Sequence, residues 1–259
     1  MLQADFSHSI IQDIEKAESI SVLTGAGISA ESGVATFRGK EGIWSKFRPE
    51  ELANVSAFLA NPERVWEWYQ HRRNLLANVK PNPGHYALSK WETLVKHFTL
   101  ATQNVDGLHQ LAGSRNVLEL HGNIRTNRCQ LCGLESDAAD VGFDGQVPLC
   151  GCGGMFRPGV VWFGEMLPEH VIQQAFLAAQ TCDLFLTVGT SALVYPAASL
   201  PEIARESGAT VVEVNIEETP FSGLATHHLR GKSGVILPQL VAAYESHHKL
   251  DSHSSEMES

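Results

Sequence analysis

An α/β fold is predicted: a Rossmann-like, doubly wound parallel sheet with a smaller lobe made of a helical insertion and a zinc-binding module. Three observations predict it. Short apolar runs without polar alternation recur along the chain, with helical stretches between them. Strands buried on both faces of a parallel sheet read that way, and alternation of strand with helix winds such a sheet. The first run passes straight into a glycine-rich turn, and two later stretches break the alternation, one of them carrying four clustered cysteines. The 259 residues are 43% hydrophobic and 19% charged, an ordinary globular composition, enough for one large domain or two smaller ones.

In chain order, residues 10–17 form the first candidate helix and 21–24 (SVLT) the first strand, followed by the turn 25–30 (GAGISA). Residues 37–79 look helical and loop-like, without a convincing strand, and form the helical insertion. Helix 83–96, strand 98–102 (FTLAT) and strand 116–120 (NVLEL) resume the pattern. Residues 123–157 hold the cysteines among glycine turns and form the second insertion. Helix 168–181, strand 183–188 (DLFLTV), helix 196–207, strand 210–214 (TVVEV) and helix 237–246 complete the series. The sheet domain is therefore expected from 1–36, 80–122 and 158–246, and the small lobe from 37–79 and 123–157. The polar tail 247–259 (HHKLDSHSSEMES) is expected to be disordered.

The net charge of −10 argues against nucleic acid as a partner, because no basic stripe offsets it. No apolar run approaches the ~18 residues of a membrane span, so no membrane partner is expected. The N-terminal MLQADFSHSIIQDIEK lacks a basic region followed by an apolar stretch, so no secretory signal is read. An odd count of five cysteines without such a signal indicates reduced thiols and a cytoplasmic protein. Cys129-x-x-Cys132 and Cys150-x-Cys152, with 17 residues between the pairs, suit a tetrahedral, structural Zn²⁺. Cys182, just before a strand, reads as a core thiol.

Gly25-Ala26-Gly27-Ile28-Ser29-Ala30 fits G-x-G-x-x-G/A after a strand, where glycines let backbone N–H groups approach a pyrophosphate. Alone, it is equally the sequence of a tight strand–loop turn. A second strand ending in an acidic residue, about 20 positions on in dehydrogenases, is missing. Polar residues do gather at several other strand ends: Gln103-Asn104-Val105-Asp106, His121, Gly189-Thr190-Ser191 and Asn215. Ligands of open parallel sheets bind at these ends.

With these motifs and the cysteines in view, the chain resembles the sirtuins, NAD-dependent protein lysine deacylases. The matching segments are 25–39 (GAGISAESGVATFRG), 102–109 (TQNVDGLH), 120–123 (LHGN), the cysteine module, 157–165 (RPGVVWFGE), 189–191 (GTS) and 214–217 (VNIE). They cover nearly the whole chain in the family's order. The resemblance implies that NAD is the co-substrate and that zinc is structural. It implies that an acyl-lysine oxygen attacks the nicotinamide ribose C1′ as nicotinamide leaves, giving an imidate. His121 then acts as general base on a ribose hydroxyl, yielding free lysine and 2′-O-acyl-ADP-ribose. Asn104 and Asp106 would fix the ribose and carboxamide, and Phe37 would cover the reactive centre beside Arg38. Ser29, Gly189, Ser191 and Asn215 would hold phosphates and adenosine. Gly25, Ala26, Gly27, Trp44, Gln103, Thr190, Glu217 and Ser233 complete the expected cofactor set. An acylated protein would lie as an added strand along Val161, Phe163, Gly164 and Glu165, and the enzyme would act as a monomer.

Tyr69 and Arg72 stand at i and i+3, so a helix puts them on one face. The pair is similar to the Tyr-x-x-Arg of the sirtuin subgroup that removes succinyl and malonyl groups, and Ala53 falls where that subgroup leaves room for the acyl group. A guanidinium can bind a carboxylate through two bonds and a phenol can add another. The resemblance thus implies a desuccinylase and demalonylase that also deacetylates. A plain deacetylase and a mono-ADP-ribosyltransferase using the same site are the alternatives. A zinc-knuckle interaction module fits the charge poorly, and a nicotinamide dehydrogenase lacks its acidic partner strand.

Overall fold

The computed structural model describes the backbone of residues 6–36 and 49–256 and the side chains of 6–36 and 51–248. Phe37, Arg38 and Trp44 lie outside the described residues. Helix α1 (His8–Lys16) precedes β1 (Ser19–Thr24), and the short α2 (Ala26–Ala30) follows the glycine turn. Three helices, α3 (Pro49–Leu52), α4 (Val55–Ala60) and α5 (Pro62–Leu76), form the first insertion. The chain returns through α6 (Pro83–Leu94), β2 (His97–Thr102), α7 (Leu108–Leu111) and β3 (Val117–Glu119). The second insertion holds β4 (Gly122–Cys129), β5 (Glu135–Asp137) and β6 (Phe156–Val160). Then come α8 (Glu169–Thr181), β7 (Leu184–Val188), α9 (Leu200–Glu206), β8 (Thr210–Asn215), β9 (His227–Arg230) and α10 (Ser233–Glu256).

The large sheet has six strands in the order β3-β2-β1-β7-β8-β9, every pair parallel. The chain works outward from β1 in one direction and from β7 in the other. The switch of direction falls between β1 and β7, where open parallel sheets leave a crevice at their carboxyl ends. Both faces are covered, which accounts for the unbroken apolar strands. Val22 of β1 packs with Trp91, Leu240 and Tyr244 of the α1–α6–α10 layer. Its neighbour Leu23 packs with Ala179 and Leu200 of the α8–α9 layer on the other face, as the two-residue period of a strand requires.

The two insertions fold against each other. Phe58, Trp66 and Tyr69 from the helices share one core with Ile124 and Phe156 from the cysteine-bearing segment and with Trp162 just beyond it. Helix α5 starts where the sequence permits: Asn61 accepts the N–H of Arg64 and Pro62 occupies the first turn. Arg73 pins α5 to β4, donating to the carbonyls of Ile124 (2.7 Å) and Thr126 (3.0 Å) and to Asn127 Oδ1 (2.7 Å).

Three expectations change. The second insertion contains an antiparallel sheet, β5-β4-β6, whose register pairs Gly122 with Val160. The small lobe therefore takes in Gly122 and residues 158–160. Strand β9 was not anticipated, because HHLR has no apolar run and pairs only along the sheet edge. Helix α10 runs on to Glu256 through most of the segment read as a disordered tail, where no Gly or Pro interrupts it. No described helix is long and apolar enough to cross a membrane.

Candidate active site

A cleft of about 780 Å³ opens at the switch point and reaches the small lobe. Its floor is the glycine turn. Gly27 N–H donates to the Gly189 carbonyl at 2.8 Å, and Gly25 N–H to that of Val188 at 3.0 Å. A Cβ on Gly27 would stand 2.7 Å from Gly189 Cα and carbonyl oxygen, and Gly189 itself has φ +58°. The glycines expected to admit a pyrophosphate are thus also demanded by two strand-end turns packed backbone against backbone. Ala26, Thr190, Ser191 and Asn215 line the same floor. Asn215 Nδ2 holds the Thr190 carbonyl at 2.9 Å and Gln103 Nε2 holds the Thr190 hydroxyl at 2.8 Å. Glu217 and Ser233 line the far end, and Ser233 donates to Glu31 at 2.9 Å.

His121 follows β3 and lines the cleft toward the small lobe. Its Nδ1 lies 3.0 Å from the Gln103 carbonyl. A carbonyl only accepts, so Nδ1 carries the proton and Nε2 keeps a lone pair. Burial lowers its pKa below the usual histidine value, opposed by that carbonyl bond, so the ring is a neutral base at pH 7.

Asn104 lines the cleft, whereas Ser29 and Asp106 stand behind its wall. Ser29 donates to Asp106 Oδ2 at 2.8 Å and receives Asn104 Nδ2 at 3.2 Å. Leu108 N–H caps Asp106 Oδ1 at 2.9 Å. Burial raises the Asp106 pKa, with the bonds from Leu108 and Ser29 opposing it. Sequence reasoning passed over two histidines beneath this network. His85 Nδ1 accepts the Asn82 N–H at 3.3 Å, which leaves Nε2–H for Ser29, also at 3.3 Å. His109 Nε2 meets the Thr24 hydroxyl at 2.9 Å. The N-P-G-H run of a capped helix start was the available signal for His85.

Burial depresses the His85 pKa to about 4 and that of His109 to about 3, the latter with help from His85. Unfolded, both titrate near 6.5. Between those values the unfolded chain binds more protons, so stability falls as pH drops. Urea midpoints measured at pH 7 and pH 5 should differ, by a few kcal/mol in unfolding free energy. Equal midpoints would contradict the buried, neutral pair.

On the small-lobe side, Ala53, Tyr69 and Arg72 line the same cleft, so the helix-face expectation holds. Burial lowers the Arg72 pKa and raises that of Tyr69. Arg72 sits with Cζ 4.9 Å from the Trp68 ring centre. Val161, Phe163, Gly164 and Glu165 line the cleft beside them. There Val161 N–H donates to His121 O (2.8 Å) and Phe163 N–H to Ala53 O (2.9 Å). Glu165 is held by Arg157 through two bonds of 2.5 and 2.8 Å.

Outside the cleft, the Sγ atoms of Cys129, Cys132, Cys150 and Cys152 all lie within 4.8 Å of one another. Cys129–Cys152 and Cys132–Cys150 are 3.6 and 3.8 Å apart. Zn–S bonds of about 2.3 Å give a tetrahedral edge of about 3.8 Å, so the sulfurs fit that ion. N–H groups of Cys132 and Leu131 pull the Cys129 pKa down, to about 6, which favours the thiolate that a metal needs. Cys182 is half-buried against α8, and burial raises its pKa to about 11.

These features define a Rossmann-like dinucleotide site whose second half is supplied by a cysteine-clustered lobe instead of a second mononucleotide unit. Comparison with known proteins narrows this. The sequence model of the Sir2 family matches residues 25–196. An NAD-dependent protein deacylase of Aquifex aeolicus is 52% identical over 86% of this chain and 93% of its own length. NAD-dependent protein deacylase 1 of Archaeoglobus fulgidus is 46% identical over 90% and 95%. Among solved structures, a Sir2 homolog–NAD complex superposes with a TM-score of 0.88 at 43% identity, covering 95% of this chain and 96% of that one. A Sir2 complex with a p53 peptide and NAD+ gives 0.79 at 32%, covering 96% and 98%. The chain belongs to the Sir2 family, the sirtuins.

Proposed function

We propose that this protein removes acyl groups from lysine side chains of other proteins with NAD as co-substrate, taking succinyl and malonyl groups as well as acetyl. The observation that carries the reading is a single cleft lined by the switch-point glycines, by His121 and by the Tyr69–Arg72 pair. Bound NAD supplies an activated ribose carbon that accepts the acyl oxygen as nicotinamide departs. His121, its Nδ1–H held by Gln103, offers Nε2 to a ribose hydroxyl proton. Asn104 orients polar groups at the cleft floor, backed by Ser29 and Asp106. The acyl-lysine enters between the lobes with its peptide along Val161, Phe163, Gly164 and Glu165; a related Sir2 protein solved with a p53 peptide and NAD+ supports the binding of a peptide substrate. One zinc ion on the four cysteines holds the small lobe together and takes no part in the chemistry.

Arg72 and Tyr69 favour an acidic acyl group for a physical reason. A guanidinium and a phenol lining the cleft can both donate to a carboxylate, and an acetyl methyl accepts from neither. Mass spectrometry of acetyl-, succinyl- and malonyl-lysine peptides, with and without NAD, tests the activity. Arg72→Met should lower desuccinylation roughly a hundredfold while changing deacetylation by a few-fold at most, because a lost charged hydrogen-bond partner acts on one substrate alone. Equal losses on the two peptides would sink the acyl assignment.

A further inference from the structure

We propose that Trp162 is a positioning residue for acyl choice: its indole N–H occupies the Tyr69 oxygen, so that the phenol's own proton is offered to the carboxylate of an acidic acyl group. The proposal rests on the reading of Tyr69 and Arg72 as the acyl-recognising pair.

Trp162 Nε1 lies 2.9 Å from the Tyr69 hydroxyl. An indole nitrogen only donates, so Tyr69 is the acceptor and the direction of this bond is unambiguous. Both side chains are 2% exposed. A buried hydroxyl seeks a partner for its proton, and among the described residues none accepts it. The neighbouring Arg72, with Cζ 6.0 Å from the Tyr69 ring centre, is itself a donor. The direction left for the phenolic proton is the cleft, which Tyr69, Arg72 and Ala53 line together. Burial raises the Tyr69 pKa, so the proton is present at neutral pH. Two donors then line one cleft, a match for a carboxylate and a poor one for a methyl group.

The indole is held in place by the segment that follows β6. The Arg157 guanidinium carbon lies 3.4 Å from the Trp162 ring centre. Glu165 binds Arg157 through two bonds and accepts the Trp162 backbone N–H at 2.8 Å. Phe58 packs on the ring at 5.3 Å between centres. Glu165, which also lines the cleft, fixes Arg157 and Trp162, and through them the polarity of Tyr69.

The test is a double-mutant cycle on Trp162→Phe and Tyr69→Phe, reading KM and kcat on succinyl- and acetyl-lysine peptides. Trp162→Phe keeps an aromatic ring and removes the N–H. It should raise KM for the succinyl peptide about five- to tenfold and leave kcat/KM for the acetyl peptide within about twofold. The double variant should lose no more succinyl selectivity than Tyr69→Phe alone, because the two groups act through one bond. Equal losses on both peptides, or losses that multiply, would overturn the positioning role. If Tyr69→Phe shifts the acyl ratio and Trp162→Phe does not, the role of Trp162 fails and the acyl-recognising pair stands. If neither shifts it, both readings fail. Should Trp162→Phe not fold, benzothienylalanine at position 162 keeps the indole's shape without its N–H and carries the same expectations.

Discussion

Replacing His121 with Ala is expected to lower acyl removal by at least a hundredfold while leaving NAD binding and the fold close to those of the parent. The expectation follows from what the ring touches. Its one described hydrogen bond runs from Nδ1 to the Gln103 carbonyl, so truncation should cost about 1 kcal/mol of stability. General-base catalysis by a positioned histidine typically contributes 10²- to 10⁴-fold. Burial holds the His121 pKa below 6.5, and catalysis needs the unprotonated ring. Activity should therefore persist to lower pH than an ordinary histidine would allow. The acid limb of kcat/KM should have its midpoint below 6.5, with a plateau by pH 7. Isothermal titration with NAD separates binding from turnover, and single-turnover assays across pH 5 to 8 locate the limb. Undiminished turnover in the variant, or a midpoint well above 6.5, would remove His121 from the role.

The large sheet was legible because its strands are short, apolar and buried on both faces, a signal that survives in a local window. The cysteine cluster was legible for a related reason: each pair forms a local knuckle, and the pairs need only meet. Tyr69 and Arg72 were legible because one helical turn aligns them. What stayed hidden depends on pairing across the chain. Nothing local to Gly27 reveals that its bare Cα is required by Gly189, just after a strand that comes alongside only through the parallel pairing of β1 with β7. Ser29 and Asp106 read as cofactor contacts from their motif positions, yet their hydroxyl and carboxylate meet each other behind the wall, above a histidine from α6. Trp162 was passed over as one of several apolar residues, because its partner lies 93 positions away. Strand β9 escaped because an edge strand needs no apolar run, and the small sheet because its strands GNIRTNRC, ESD and FRPGV carry few apolar residues. Element type follows from local composition; the wiring of polar side chains follows from topology.

Loss of one zinc ligand should remove more than the metal. In Cys150→Ser, metal analysis is expected to show the zinc content falling from about one ion per chain to near zero, because three thiolates leave a structural site open. The sulfur separations of 3.6 and 3.8 Å are far from the ~2.05 Å of a disulfide, so no covalent link replaces the ion. Binding of structural zinc is worth about 10–16 kcal/mol in small metal-folded peptides at neutral pH, enough to decide whether a module this small folds. The damage should then travel along a definite route. Cys129 closes β4 and, with Cys150, belongs to the core that also holds Trp66, Phe156 and Trp162. Arg73 fastens α5 to β4 through three bonds, and α5 carries Tyr69 and Arg72. The large sheet has its own core, with none of these residues in it. A chelator, or Cys150→Ser, should therefore abolish acyl removal and quench the near-ultraviolet circular dichroism of the small-lobe tryptophans. The far-ultraviolet signal of the large domain should persist. Strand β1 and the glycine turn should still exchange their amide protons slowly, since the β1–β7 pairing does not pass through the metal lobe. Full activity in a zinc-free chain would show that the cluster is dispensable, and simultaneous collapse of both domains would show that the two cores are not independent.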